Sequence, residues 1–230
     1  MPPISGSLCA TCGERVEGFL GDGEVRCVSC RRLEPPYVKA TAYGSYEGGL
    51  RELIHLLKYE QVRPAANVLG RMLGEAMEDL RPLFAANPLM VPVPLHARKL
   101  RQRGFNQAEL IARAALKLMP IENRLELRPG ALQRCRETQS QIGLSRHQRR
   151  ENMRGAFAVV KPAEITDREV MLVDDVFTTG TTVSECARVL RRAGASKVFV
   201  ATVARTLKAD AQHASQQLEP EEARAAAAVV

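Results

Sequence analysis

Thirteen consecutive residues, VMLVDDVFTTGTT from Val170 to Thr182, hold most of the chemistry that the chain advertises. Four apolar residues run into two adjacent acids, Asp174 and Asp175. A short run of hydroxyl residues around Gly180 follows. In a parallel α/β sheet, ligands bind at the carboxyl ends of the strands. A turn leading into a helix N-terminus offers N–H groups and a favourable dipole to an anion. Gly180 lets the backbone approach closely. Thr178, Thr179, Thr181 and Thr182 add hydroxyl donors, so the turn reads as a phosphate loop. The acids cannot meet the same phosphate without repulsion, but they can accept hydrogen bonds from neighbouring hydroxyls. A ribose with free 2- and 3-hydroxyls and a 5-phosphate suits both halves.

Two rival readings explain less. The strand and acids would suit a nucleotide triphosphatase, but the chain has no GxxxxGKS or GxxxxGKT loop. Paired acids after a strand also hold magnesium in phosphoryl-transfer domains, where the Gly-Thr turn would have no purpose.

A second constellation lies at the other end. Cys9 and Cys12 (CATC) and Cys27 and Cys30 (CVSC) form two C-x2-C knuckles, the layout of a tetrahedral zinc site. The spacer predicts a hairpin at Gly21–Gly23. So short a segment has little core, and bound metal would supply its stability. Two disulfides are the alternative. Four cysteines leave no open coordination position, so the zinc reads as structural. Cys135 and Cys186 stand alone, and Cys186 reads as a helix core residue.

The formal charge is +7 and the pI about 9.3, which favours anionic partners. The excess is local and rich in arginine. One cluster is Arg98, Lys99, Arg101 and Arg103; another is Arg124, Arg128, Arg134, Arg136, Arg146, Arg149, Arg150 and Arg154. Guanidinium forks match phosphate oxygens, although a solvated basic face explains either cluster taken alone. Hydrophobic residues make up 45% of the 230, without a run long enough to span a membrane, and the N-terminus lacks the pattern of a secretory signal. Both features predict a cytoplasmic protein.

These groups need a scaffold. GLRELIHLLKYE places Leu50, Leu53, Ile54 and Leu57 on one helical face. His55 lies off that stripe and reads as exposed. Lys58 either meets a phosphate or complements the helix C-terminus. Further helices are expected at about 64–84 and 106–119, the latter with Leu110, Ile111, Ala114, Ala115 and Leu118 in register. LMVPVP, Ala156–Val160, Val170–Val173 and Lys197–Ala204 read as strands. Thr181–Ala193 reads as a helix stopped by Gly194. LEPPYVKATAY reads as a linker, Arg134–Gly155 as a long mobile loop, and the end from about Leu207 as a frayed tail. Alternating strands and helices argue for a parallel sheet covered on both faces. The expected organisation is a zinc ribbon over 1–36, an α/β domain over 37–206 and a low-complexity tail over 207–230.

With these motifs assembled, VMLVDDVFTTGTT resembles the phosphoribosyl-pyrophosphate motif of type I phosphoribosyltransferases. The four cysteines, VPVPLHARKLRQRGFNQA and RCRETQSQIGLSRHQRRENMRGAF, in that order before it, resemble the ComF family, which includes GntX-like proteins. The resemblance covers roughly Cys9 to Arg205. It implies a type I phosphoribosyltransferase-like sheet with a small zinc ribbon. It implies that Asp174 and Asp175 bind ribose hydroxyls, that Thr178–Thr182 bind the 5-phosphate, and that pyrophosphate lies near Leu95, His96 and Arg98. Arg134, Gln141, Arg146 and Arg150 would belong to a loop closing over the site. Magnesium would come with phosphoribosyl pyrophosphate. RGFNQ, residues 103–107, receives no role, and no base-recognising hood is evident before residue 90. The family is linked to DNA uptake in natural competence, which implies single-stranded DNA and a helicase-like protein as partners. An active transferase and a domain that binds nothing at this site are the competing readings.

Overall fold

A computed structural model of the chain describes residues 4, 6–16, 23–85, 87–120, 125–138 and 146–207, with Arg146 and His147 described in backbone only. Five strands make the main sheet: β1 (Ala40–Ser45), β2 (Leu89–Pro92), β3 (Glu126–Leu127), β6 (Glu169–Phe177) and β7 (Lys197–Arg205). Their order is β1-β7-β6-β2-β3, and every pairing is parallel. The central strand β6 is apolar and buried over residues 170–173, as a strand covered on both faces must be.

Side chains alternate across that strand, so its two faces serve two cores. Val170 and Leu172 pack with Val198, Val200 and helix α7 (Thr181–Arg192), through Val183, Cys186, Ala187 and Leu190. Met171 and Val173 pack with Phe199 and Ala201 under helices α2 (Gly48–Tyr59), α3 (Ala65–Glu78) and α5 (Gln107–Leu118). Helix α3 lies so close to α5 that a Cβ on Gly70 would stand 2.5 Å from that of Ala114.

Several expectations are corrected. The supposed linker ends in strand β1, paired with β7 from Ala40↔Val200 to Ser45↔Arg205. Strand β6 does not stop at Val173 but runs through both acids to Phe177. The stretch from 134 to 155 is not one loop. Arg134 closes β4 (Leu132–Arg134), which pairs antiparallel with β5 (Phe157–Val159), and α6 spans Arg146–Met153. That helix escapes an apolar-period reading because Met153 is its one buried residue among those described. In α5 the buried face is Ala108, Ile111, Ala112, Ala114 and Ala115, while Leu118 is exposed. Leu207 is buried against the domain rather than frayed. The hairpin expected at Gly21–Gly23 lies largely outside the described residues, as does the tail from 208.

The RGFNQ segment acquires a role. Arg103 ends α4 (Ala97–Arg103), and Gly104 closes it in the left-handed region, at φ +79°. Phe105 is buried. Asn106 caps α5: its Oδ1 accepts from the Ala108 N–H at 3.0 Å, while its Nδ2 donates to the Val93 carbonyl at 3.0 Å. The segment is a corner that ties two helices to the end of β2.

Candidate functional site

At the carboxyl end of β6 the two acids stand at alternating positions, and their carboxyls meet each other through a side-chain hydrogen bond. Asp175 follows Val173 toward α2 and is 4% exposed. There it pairs with Lys58 of α2. Lys58 therefore neither lies open to a phosphate nor merely ends its helix. Asp174 follows Leu172 toward the other face, where it interacts electrostatically with Arg134 and Cys186. Its Oδ1 accepts from the Asp175 backbone N–H at 2.9 Å.

The two carboxyls are driven apart electrically. Burial, and next the Asp175 carboxylate, push Asp174 well above the usual carboxylate range. Burial acts on Asp175 too, but the charge and hydrogen bond of Lys58, with Asp174 and Arg103 assisting, hold Asp175 below that range. Burial alone would lower Lys58; the charge and hydrogen bond of Asp175, together with Tyr46 and Tyr59, outweigh it and raise Lys58 above an ordinary lysine. His55, rather than standing free, meets the Tyr46 hydroxyl at 3.1 Å beside this pair.

The turn after β6 is short. Thr178 and Thr179 lead to Gly180, the N-cap of α7, and Thr181 and Thr182 already belong to the helix. Thr179 Oγ1 and Thr181 Oγ1 lie 2.8 Å apart. Gly180 has φ +73°, and a Cβ there would stand 2.5 Å from Phe177 Cζ. The glycine thus answers first to its own strand: the Phe177 ring lies against it. The first-turn N–H groups of α7 gather at this turn, as the phosphate reading requires.

The segment after β2 comes to the Asp174 side. His96 bridges in parallel to Arg134, and Arg98 Nη1 lies 3.2 Å from Glu137 Oε1. Leu95 and His96 are half-buried, and His96 Nδ1 is buried without a hydrogen-bond partner among the described residues. Arg134 donates to Thr138 Oγ1 and lies 5.6 Å from the Phe157 ring centre. Arg150 does not join Arg134. It lines a groove of about 330 Å³ with Thr178, Thr179 and Thr181. Arg146 begins α6, and Gln141 lies outside the described residues.

The other wall of that groove is the cysteine module, through Cys12, Cys27 and Cys30. All four cysteines are buried, and their sulfurs lie within 4.8 Å of one another. Sulfurs bound at 2.3 Å about a tetrahedral zinc are about 3.8 Å apart. Cys12 and Cys27 stand at 3.7 Å. The Cys30 thiol draws Cys12 down to about 5, with Arg205 assisting, which favours the thiolate that a metal needs. The donor set fits zinc.

Sequence reasoning missed what fastens this module. Arg205, at the end of β7, is 3% exposed. It donates to the Cys12 carbonyl, reaches Glu14 at 3.3 Å and lies 4.8 Å from the Phe177 ring centre. Tyr37 meets the same ring edge-on at 6.5 Å. The signal was present: an arginine follows the mostly apolar run VFVATVA and ends the strand.

The parallel sheet, the acids ending its central strand and the Gly-Thr turn into α7 define a phosphoribosyltransferase-type domain. A family model described as "Phosphoribosyl transferase domain" matches residues 131–222. Competence protein F of Haemophilus influenzae is 31% identical over 86% of this chain and 90% of its own. DNA utilization protein YhgH of Escherichia coli is 33% identical over 87% and 85%. Competence protein ComFC of Streptococcus pneumoniae is 22% identical over 83% and 84%. The chain belongs to the ComF family. Among the described residues, no helix is long and apolar enough to cross a membrane.

Proposed function

We propose that this protein binds a 5-phosphorylated ribose of the phosphoribosyl-pyrophosphate type and serves in the handling of incoming single-stranded DNA during natural competence. One observation supports the ligand above others: the α7 N-terminus, Asp174, and the Leu95–Arg98 segment bridged to Arg134 meet at one edge of the sheet. The turn from Thr178 to Thr182 takes the 5-phosphate. The acidic end of β6 serves the ribose hydroxyls, and Leu95, His96 and Arg98 face the pyrophosphate, whose charge is shared with magnesium that arrives with the ligand. The names of the relatives, competence protein and DNA utilization protein, support the cellular role. Single-stranded DNA and a helicase-like protein are the proposed partners, and the cytoplasm the proposed compartment, where four thiols stay reduced for zinc. With few aromatic residues for stacking, DNA contact would run through phosphates and weaken with salt.

Calorimetric titration with phosphoribosyl pyrophosphate and magnesium tests the ligand. Binding by the zinc-loaded wild type, lost in Asp174→Asn, is the expected result. No binding by the folded wild type would sink this reading.

The Arg134–His96 bridge favours a second reading, an active transferase. The ribose C1–O bond would break with its electron pair leaving on pyrophosphate, while a nitrogen acceptor forms the C1–N bond and sheds its proton. Arg134 would stabilise the departing charge. Pyrophosphate release that requires an acceptor and falls in Arg134→Met distinguishes this from binding alone.

A further inference from the structure

The groove between the cysteine module and α7 is larger than a phosphate needs. Resting on the ribose-phosphate reading above, we propose that single-stranded nucleic acid occupies this groove with one backbone phosphate in the turn that takes the 5-phosphate. A strand and ribose 5-phosphate then exclude each other.

Size gives the first argument. Thr178, Thr179 and Thr181 line a groove of about 330 Å³. That volume reaches the range of about 300–1,000 Å³ in which whole small molecules bind. A terminal phosphate monoester fills a small part of it. A phosphodiester, whose phosphate carries a second esterified sugar, uses the rest.

Charge gives the second. The carboxylates that line the groove are Glu14, Glu34 and Glu185. Each already faces an arginine: Glu14 meets Arg205 at 3.3 Å, Glu34 meets Arg26 at 3.7 Å, and Glu185 meets Arg188. Glu185 also accepts from the Gly155 N–H at 2.9 Å. With the acids offset in place, the first-turn N–H groups of α7 and the exposed Arg150 favour an anion. Arg205 lines the groove as well. It is 3% exposed, and its Nε is buried without a hydrogen-bond partner among the described residues. A donor is left unspent in the groove wall.

The opposite wall selects what flanks that phosphate. Leu33, Pro35, Pro36 and Tyr37 give it apolar surface beside the cysteines. Zinc held by four thiolates carries a net negative charge. The part of the ligand against this wall must therefore be uncharged, which a nucleoside is and a second phosphate is not. One phosphate joined to a neutral nucleoside is the repeating unit of a single strand. Tyr37 is buried, so the contact runs through the phosphate and apolar packing rather than through an open stacking platform.

The test measures fluorescence anisotropy of a short labelled oligothymidylate on the zinc-loaded wild type. Ribose 5-phosphate is the competitor, at matched ionic strength because phosphate contacts weaken with salt. Ribose 5-phosphate should displace the strand, with a midpoint that follows its own affinity from calorimetry. A second arm uses Ser184→Phe. Ser184 is half-buried and lines the groove one turn along α7 from Thr181, so a ring there fills the groove and leaves the turn. This variant should lose more than tenfold in affinity for oligothymidylate and keep that for ribose 5-phosphate within about threefold. The competition needs no variant and decides even if Ser184→Phe does not fold. Oligothymidylate that stays bound under saturating ribose 5-phosphate, or that does not bind at all, would overturn this proposal and leave the ribose-phosphate reading standing. So would a Ser184→Phe variant that binds the strand as wild type does. Absence of ribose 5-phosphate binding by the folded wild type would sink the ribose-phosphate reading, and this proposal with it.

Discussion

The guanidinium of Arg205 stands 4.8 Å from the centre of the Phe177 ring while it donates to the Cys12 carbonyl. Phe177 in turn lies against Gly180, the N-cap of α7. One short chain of contacts therefore runs from the cysteine cluster to the proposed phosphate turn. If the four cysteines hold a metal, removing it should loosen the Cys12 loop and with it the seat of Phe177. Chelation is expected to lower the melting temperature and to weaken ribose 5-phosphate binding together. Arg205→Met, which removes the cation that reaches Glu14 and the donor to the Cys12 carbonyl, should lower stability in denaturant unfolding by about 1–3 kcal/mol. Binding that survives chelation unchanged would show that the turn stands without the module.

Gly180 makes a sharper case. Alanine there must hold a left-handed φ, costing about 1–2 kcal/mol. It must also push the Phe177 ring aside, at about 1–3 kcal/mol for overpacking. Gly180→Ala should therefore lose roughly 2–5 kcal/mol of unfolding free energy by these two effects. Shortening the ring in Phe177→Leu/Gly180→Ala should restore the part due to the clash and leave the backbone part. Equal losses in the single and double variants would mean that strain at φ alone matters.

How much of this was legible beforehand depends on range. The fold of β6, α7 and β7 is written in local pattern, because a doubly covered strand and an amphipathic helix are each readable over about ten residues. The cysteine spacing shows a metal site for the same reason. Strand β1 was hidden because ATAYGS carries no apolar run; its pairing with β7, some 160 positions on, makes it a strand. The pairing of Lys58 with Asp175 spans more than a hundred residues, and no local window contains both. The two acids looked equivalent as neighbours in sequence. Extending the strand through them gave each a different further neighbour, Lys58 for Asp175 and Arg134 for Asp174, while the two carboxyls stay in contact.

That difference predicts opposite responses of stability. Asp175 has a lowered folded pKa, so its contribution is present above the unfolded value of about 3.9 and is lost as pH falls through the folded value. Asp174 has a raised folded pKa, so the folded state holds more protons there, and its contribution declines as pH rises from about 4 through the folded value. At neutral pH, Asp175→Asn should destabilise the protein by about 3–5 kcal/mol, because Lys58 is left unpaired. Asp174→Asn should stabilise it, and the gain should shrink as the pH is lowered toward 4. Urea midpoints of the two variants between pH 4 and 8 check this. Shifts in the same direction would mean that Lys58 does not set the two acids apart.

The Asn106 corner can be taken apart by chemistry at a single atom. Its Oδ1 caps α5, and its Nδ2 holds the Val93 carbonyl at the end of β2, just before Leu95–Arg98. Asn106→Asp keeps a capping oxygen, and near the helix N-terminus its charge is favourable, but it cannot donate to Val93. Asn106→Ala loses both contacts. The alanine variant should be less stable than wild type by about 1–3 kcal/mol, the sum of a cap and a hydrogen bond. The aspartate variant should recover the cap while leaving the Val93 carbonyl unheld. If Val93 anchors the pyrophosphate-side segment, both variants should weaken phosphoribosyl pyrophosphate binding more than ribose 5-phosphate binding. Equal weakening for the two ligands would place the effect in α5 rather than in the segment that follows β2.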